Sequence, residues 1–241
     1  KSGPGQGAAL GLMLGWLQWM SSAWWLHTPL RDISGFSTTT AILIVCGGCL
    51  LMALPYAMAA GLVCRWPRPP GVLGSARNAA LFTLAITFLT PVFKANLAHT
   101  QYRSPIILQV LELGGTPLLL FLMLWVNWLL ADAWSGFQNR VTACRRNILA
   151  AVGVILFVTA YGWIRLRSWE HAIASAAPSQ QFTIGAIQPN IPIPVPLARQ
   201  PCPAAESNSL STAFTQAANL ARLHPGIDLL AFPENPELFE F

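Results

Sequence analysis

The chain has 241 residues, 54% of them hydrophobic and only 10% charged, against the roughly 25% charge of an ordinary soluble domain. That deficit excludes a disordered chain, a coiled coil and a nucleic-acid-binding domain, each of which needs far more charge. The class is an integral membrane protein, and five spans of ~20 residues would occupy most of residues 1–165 and leave no room for a complete large catalytic domain.

The net charge of +5 comes from 14 Lys and Arg against 9 Asp and Glu. These residues are scattered along the chain, so the basic excess reads as membrane flanking and not as polyanion recognition. The five cysteines are odd in number, and Cys46, Cys49 and Cys64 share one apolar stretch. No disulfide framework, metal site or cofactor follows from them. Cys46 and Cys49 form a CxxC without a second pair or a histidine, which reads as packing. The first residue is Lys1 and a span follows at once, so the sequence is expected to be a piece of a longer chain, with no cleaved signal peptide.

In chain order, the expected spans are residues 8–25, 39–64, 78–93, 115–130 and 147–164, with some short enough to need tilt. The first carries Gly7, Gly11 and Gly15 at steps of four, a face bare of side chains that favours close helix approach. Residues 104–114, SPIILQVLELG, are apolar but too short to cross and contain Glu112, so they are expected to form a re-entrant or interfacial helix. Asn127 falls in mid-span and is expected to hydrogen-bond to another helix. Tyr102, Arg103 and Gln101 stand beside the re-entrant segment, where an arginine meets lipid phosphates or simply snorkels to the interface.

Loop charge sets the expected orientation. Arg65, Arg68 and Arg77 follow the second span and Arg140, Arg145 and Arg146 follow the fourth, so these loops are expected in the cytoplasm. Arg31, Lys94, Arg103, Arg165 and Arg167 then fall outside, and so does everything after Ile164. Trp24, Trp25, Trp163 and Trp169 would form one interfacial belt and Trp66 and Trp134 the other.

Past the spans the composition changes. Residues 166–181, ending in SAAPSQQ, read as a linker, and residues 182–241 as the first part of an extramembrane domain. FTIGAIQ (182–188) has the content of a buried strand. PNIPIPVPLARQPCP (189–203) excludes helix and central strand alike. A helix capped by Ser207 or Ser209 should present Leu210, Phe214, Ala217, Leu220 and Leu223 on one face and stop at His224–Pro225–Gly226. IDLLAF (227–232) is a second buried strand. Strand, helix, strand is the pattern of a crossover onto a parallel sheet. Reactive groups collect beyond the carboxyl ends of such strands, which puts Gln188 and Asn190 after the first and Glu234 after the second. A glutamate held there against an apolar wall could have the raised pKa of a general base, although the bare pattern by itself favours a solvated loop carboxylate.

DLLAFPENP (228–236) resembles the strand and glutamate motif of the nitrilase superfamily, and IGAIQPNIP (184–192) is similar to the first strand of that domain. Preceded by GLMLGWLQWMSSAWWL from Gly11 and HTQYRSPIILQVLELGG from His99, the whole resembles the apolipoprotein N-acyltransferases. That resemblance implies a membrane α-helical bundle followed by the start of an α/β domain of the nitrilase-like α-β-β-α kind, in the bacterial inner membrane with the domain periplasmic. It implies a phospholipid as acyl donor and an apolipoprotein as acceptor, and acyl transfer through a cysteine thioester, with a glutamate base and a lysine at the oxyanion. Only the glutamate maps here, as Glu234. No lysine follows Lys94, and Cys202 precedes Glu234, so the chain as given is expected to be inactive. Tyr102, Arg103, Gln188 and Asn190 are the residues expected on the substrate side.

The sequence departs from that pattern at HTPLRDISGFS (27–37), where the family has a glycine-rich segment, and at IPIPVPLARQ (191–200), which lacks the family's lysine and tryptophan. Two other roles therefore stand beside the enzyme: a conjugal-transfer protein related to the family, and a non-catalytic membrane component that binds a partner.

Overall fold

A computed structural model describes residues 3–66, 69, 71–90, 95–136, 141–176, 182–187 and 205–232, the side chains of 205–211 excepted. The chain is mostly helical and divides into two compact units, one of residues 1–25 and 42–173 and one of residues 26–41 and 174–241. The helices are α1 (Pro4–Ala23), α2 (His27–Asp32), α3 (Thr38–Arg65), α4 (Val72–Leu89), α5 (Pro105–Leu108), α6 (Leu111–Gly136), α7 (Val141–Ala174) and α8 (Ala205–Leu223), with 3₁₀ turns at Trp24–Leu26 and Leu97–Gln101. Strands β1 (Ile184–Ala186) and β2 (Leu229–Ala231) follow α7 and α8 respectively.

Among the described residues, four helices are long and apolar enough to cross a membrane: α3, α4, α6 and α7. A fifth span was expected at 8–25. Helix α1 forms there and has the length of a span at 20 residues, but it falls short of the other four in apolar content because Gln6, Gln18 and paired serines interrupt it. Its glycines do what their spacing implies. Gly7, Gly11 and Gly15 are buried; a Cβ on Gly7 would lie 2.5 Å from Cys64 Sγ, one on Gly15 2.9 Å from the Tyr56 ring, and one on Gly11 would strike the Tyr56 carbonyl. The α1 backbone thus lies against α3, and Trp16 Nε1 donates to the Cys46 carbonyl at 3.1 Å along the same seam.

Helices α4 and α6 run antiparallel. Ser75 Oγ donates to Asp132 Oδ2 at 2.6 Å at one end, and the Phe82 and Trp128 rings meet at 6.2 Å in the middle. A hydrogen bond between helices is a strong tie where water is absent. A Cβ on Gly71 would approach the Arg146 guanidinium at 2.6 Å, so α7 begins at the same end as α4. That end of the unit carries Arg65, Arg77, Arg145 and Arg146 with Trp66 and Trp134, and Arg77 reaches the Trp66 carbonyl.

Two segments have more local structure than hydropathy alone describes. The segment 166–181 was read as a linker, but α7 continues unbroken to Ala174 and is 34 residues long. Arg167 pairs with Glu170 at 3.2 Å and stacks over Trp163 at 4.8 Å, while Arg165 stacks over Trp169 at 5.6 Å. Pairs spaced three and four apart extend a helix beyond the point where hydropathy ends. The segment 104–114 was expected to form a re-entrant or interfacial helix. It is instead the single turn α5, a break, and the first turn of α6, whose helix is interrupted at Gly114 and at Gly115, where φ is +64°. Glycine tolerates that conformation, and the helix restarts with Pro117 in its first turn, where no backbone N–H is needed.

In the second unit β1 and β2 pair in parallel, Ile184 with Leu229, Gly185 with Leu230 and Ala186 with Ala231. Helix α8 lies on them through Ala213, Ala217 and Leu220 against Ile187 and Leu230, and Gly185 makes room, since a Cβ there would come within 2.7 Å of Leu220. The strands are three residues each, shorter than 182–188 and 227–232. At the leading edge Asp228 N donates to the Thr183 carbonyl at 2.9 Å, and Asp228 Oδ2 accepts from Thr183 N at 2.8 Å, so backbone and side chain close it together. Helix α8 begins at Ala205, ahead of both serines expected to cap it, and ends before His224 as expected.

Candidate functional site

Of the expected site residues, Tyr102 and Arg103 lie within the described residues, and Gln188, Asn190 and Glu234 lie outside them. β1 and β2 end side by side, at Ala186 and Ala231, and the residues expected to carry chemistry follow those ends in sequence.

Tyr102 and Arg103 follow the Leu97–Gln101 turn, which Asn96 caps by accepting from Ala98 N at 2.9 Å. Tyr102 is 65% exposed, and the Arg103 guanidinium sits 5.3 Å over its ring. Among the described residues Arg103 pairs with no carboxylate. A cation so placed, held by an aromatic face and not by an anion, is free to meet a phosphate.

The turn and α5 are fixed to α7 at two points. The Ile106 carbonyl occupies the space a Cβ on Gly162 would need. One helical turn further on, Glu112 accepts from Arg165 Nε at 2.5 Å and from an Arg165 terminal nitrogen at 3.0 Å, and also from the Tyr161 hydroxyl. Glu112 was legible as an unusual charge in an apolar run; its partners lie 49 and 53 residues away, and nothing in the local sequence signals them.

Beneath this segment, between α6 and α7, lies a cavity of about 240 Å³ lined by Leu119, Leu122, Met123, Val126, Val154, Ile155 and Val158, with Gln101 and Ile107 from the segment above and Asn127 and Thr159 as the remaining polar groups. Thr159 Oγ1 donates to the Ile155 and Leu156 carbonyls, and Gln101 donates to Thr100. The hydrogen bond expected from Asn127 to a neighbouring helix is not made to any described residue; Asn127 is exposed at the rim of this space. The cavity is the part of the site that sequence reasoning missed.

The family model describing the apolipoprotein N-acyltransferase N-terminal domain matches residues 1–129. The chain belongs to the apolipoprotein N-acyltransferase family. No curated protein matches it. The match takes in α1 to α5 and most of α6, including Tyr102, Arg103, Glu112, Asn127 and the α6 wall of the cavity. The family is one of membrane-bound acyltransferases, and four helices of membrane length agree with membrane association.

Proposed function

We propose that the protein is a membrane-bound acyltransferase that moves a fatty acyl chain from a phospholipid to the amino-terminal cysteine of apolipoproteins. The observation that carries this reading is the family match over residues 1–129. Supporting it, Gln188 and Glu234 follow the adjacent ends of a parallel strand pair within a few residues, the location where such sheets gather reactive groups. We read β1, α8 and β2 as the opening of a nitrilase-like domain on the periplasmic side of the bacterial inner membrane.

In this mechanism Glu234 takes the proton of a cysteine thiol. The thiolate attacks the ester carbonyl of the phospholipid, a lysine stabilises the oxyanion, and the C–O bond breaks to release the lysophospholipid and leave a thioester. The α-amine of the acceptor then attacks the thioester, the C–S bond breaks, and the amide forms. No residue of the given sequence maps onto the family's lysine or nucleophilic cysteine, so the test is made on the full-length protein. Glu234→Gln is expected to lower acyl transfer by about 100-fold or more, the usual range for a lost general base; transfer at the unaltered rate would remove Glu234 from that role.

A second reading, a conjugal-transfer relative, suits the departures from the family's pattern at residues 27–37 and 191–200. Failure of the full-length protein to complement loss of lipoprotein N-acylation would favour this reading over the first.

A further inference from the structure

We propose that Arg145 and Arg146 hold the phosphate of an anionic phospholipid against the start of α4, at the membrane face opposite to Tyr102 and Arg103. The inference stands on the charge and geometry of this end of the first unit and does not depend on the acyltransferase reading.

Three helix ends meet here. Arg77 Nη1 reaches the Trp66 carbonyl at 3.5 Å, which joins α4 to the end of α3. A Cβ on Gly71 would lie 2.6 Å from Arg146 Nη2, which joins the start of α4 to the second turn of α7. The cations of this end are not balanced. Between Asp32 and Glu170 the sequence has two acids, Glu112 and Asp132; Glu112 belongs to the other end, and Asp132 accepts from Ser75. Arg77 is engaged, since it also donates to the Asn78 side chain at 2.9 Å. Arg65, Arg145 and Arg146 are exposed and form no ion pair among the described residues.

Arg146 stands where a further positive charge is least welcome. The first N–H groups of α4 have no intrahelical acceptor and give the helix a positive end. Gly71, the residue before that helix, has a φ of +70° and no side chain to cap them, and the first turn of α4 contains no acid. A guanidinium and a helix start of like sign therefore face one another, and an anion between them satisfies both. Glycine at this position leaves the guanidinium the room that any Cβ would take.

The surroundings are those of a membrane interface, which makes the anion a lipid headgroup. Trp66 and Trp134 are 52% and 87% exposed, as aromatic residues at the headgroup level are. On α7, Val141, Arg145, Ile148 and Leu149 share one face and line one hollow, and the three apolar members are exposed. A phosphate at Arg145 and Arg146 lets the acyl tails run along Ile148 and Leu149. A soluble anion would engage the guanidinium groups and leave that apolar flank unused.

The test is native mass spectrometry of the full-length protein in detergent, titrated with phosphatidylglycerol or with phosphatidylcholine. Phosphatidylglycerol is expected to bind more tightly. Arg145→Gln and Arg146→Gln are each expected to weaken its binding about fivefold, and the double variant about 25-fold, the usual contribution of arginines near an anionic lipid surface. Arg167→Gln, which removes one positive charge at the other end, is expected to leave it unchanged. If the double variant does not fold, Arg145→Gln decides alone, because its side chain is exposed and has no ion-pair partner among the described residues. Equal affinity for the two lipids, undiminished phosphatidylglycerol binding in Arg145→Gln and Arg146→Gln, or an equal loss in Arg167→Gln overturns the site. Displacement of the lipid by millimolar inorganic phosphate overturns the lipid assignment in favour of a soluble anion.

Discussion

At the scale of single residues, the positions with least latitude are glycines that bring backbones together. Gly11 faces the Tyr56 carbonyl and Gly162 faces the Ile106 carbonyl, and a carbonyl fixed in a helix cannot rotate away as a side-chain tip can. Gly5, on the same helix as Gly11, has nothing within 4 Å of its missing Cβ. Gly11→Val is therefore expected to destabilise the protein by ~1–3 kcal/mol, the cost of overpacking, whereas Gly5→Ala is expected to stabilise α1 by ~0.5–1 kcal/mol. Thermal unfolding in detergent micelles compares the two directly, and equal shifts would mean that α1 and α3 do not meet as described. The spacing of these glycines was legible in the sequence because a period of four maps onto one helical face. Gly162 was not, since its partner is a backbone atom 56 residues earlier that no side-chain pattern reports.

At the scale of elements, the segment from Asn96 to Leu113 is a strap laid across α6 and α7, with a glycine break behind it at Gly114 and Gly115. The Glu112 tie to Arg165 and Tyr161 is partly exposed, with 33% and 35% side-chain exposure on the charged partners, and its grip comes from geometry, two guanidinium nitrogens and one hydroxyl meeting one carboxylate. Glu112→Gln keeps the shape and loses the charge. Hydrogen exchange is expected to speed up across residues 105–113 in this variant while the centre of α6 stays protected; unchanged exchange in the strap would assign its anchoring to the Gly162 contact alone. Hydropathy located α3 to within one residue at each end because its apolar run and its helix coincide. It failed for α7, whose last ten residues are held by charge pairs and ring stacking, and for the strap, where a glycine pair divides an apolar run that reads as continuous.

At the scale of the whole molecule, the helix ends sort by charge. Arg65, Arg77, Arg145 and Arg146 stand at the end of the first unit where α4 and α7 begin, and Arg103, Arg165 and Arg167 at the end where Glu112 lies. The excess at the first end predicts that it faces the cytoplasm. With the native cysteines replaced, Ser135→Cys is expected to react with a membrane-impermeant maleimide only after the inner membrane is opened, and Ser175→Cys in intact spheroplasts. The reverse pattern would invert the topology and place the second unit in the cytoplasm. Helical membrane architecture was legible from composition, since 54% hydrophobic and 10% charged residues admit few alternatives. The α6–α7 cavity was not, because it is a space left between two well-formed apolar faces, and a sequence records what is present at a position and not what its neighbours fail to fill.

The glycine seam between α1 and α3 also sets how this sequence drifts over generations. Every replacement of a glycine by another residue adds at least a Cβ, and at Gly7, Gly11 and Gly15 that atom has nowhere to go. One turn away on the same helix, Leu10, Met13, Leu14 and Leu17 are at least half exposed and exchange for one another freely in a hydrocarbon surround. The helix is therefore expected to change at two speeds, its seam face held to glycine and its opposite face free to exchange one apolar side chain for another.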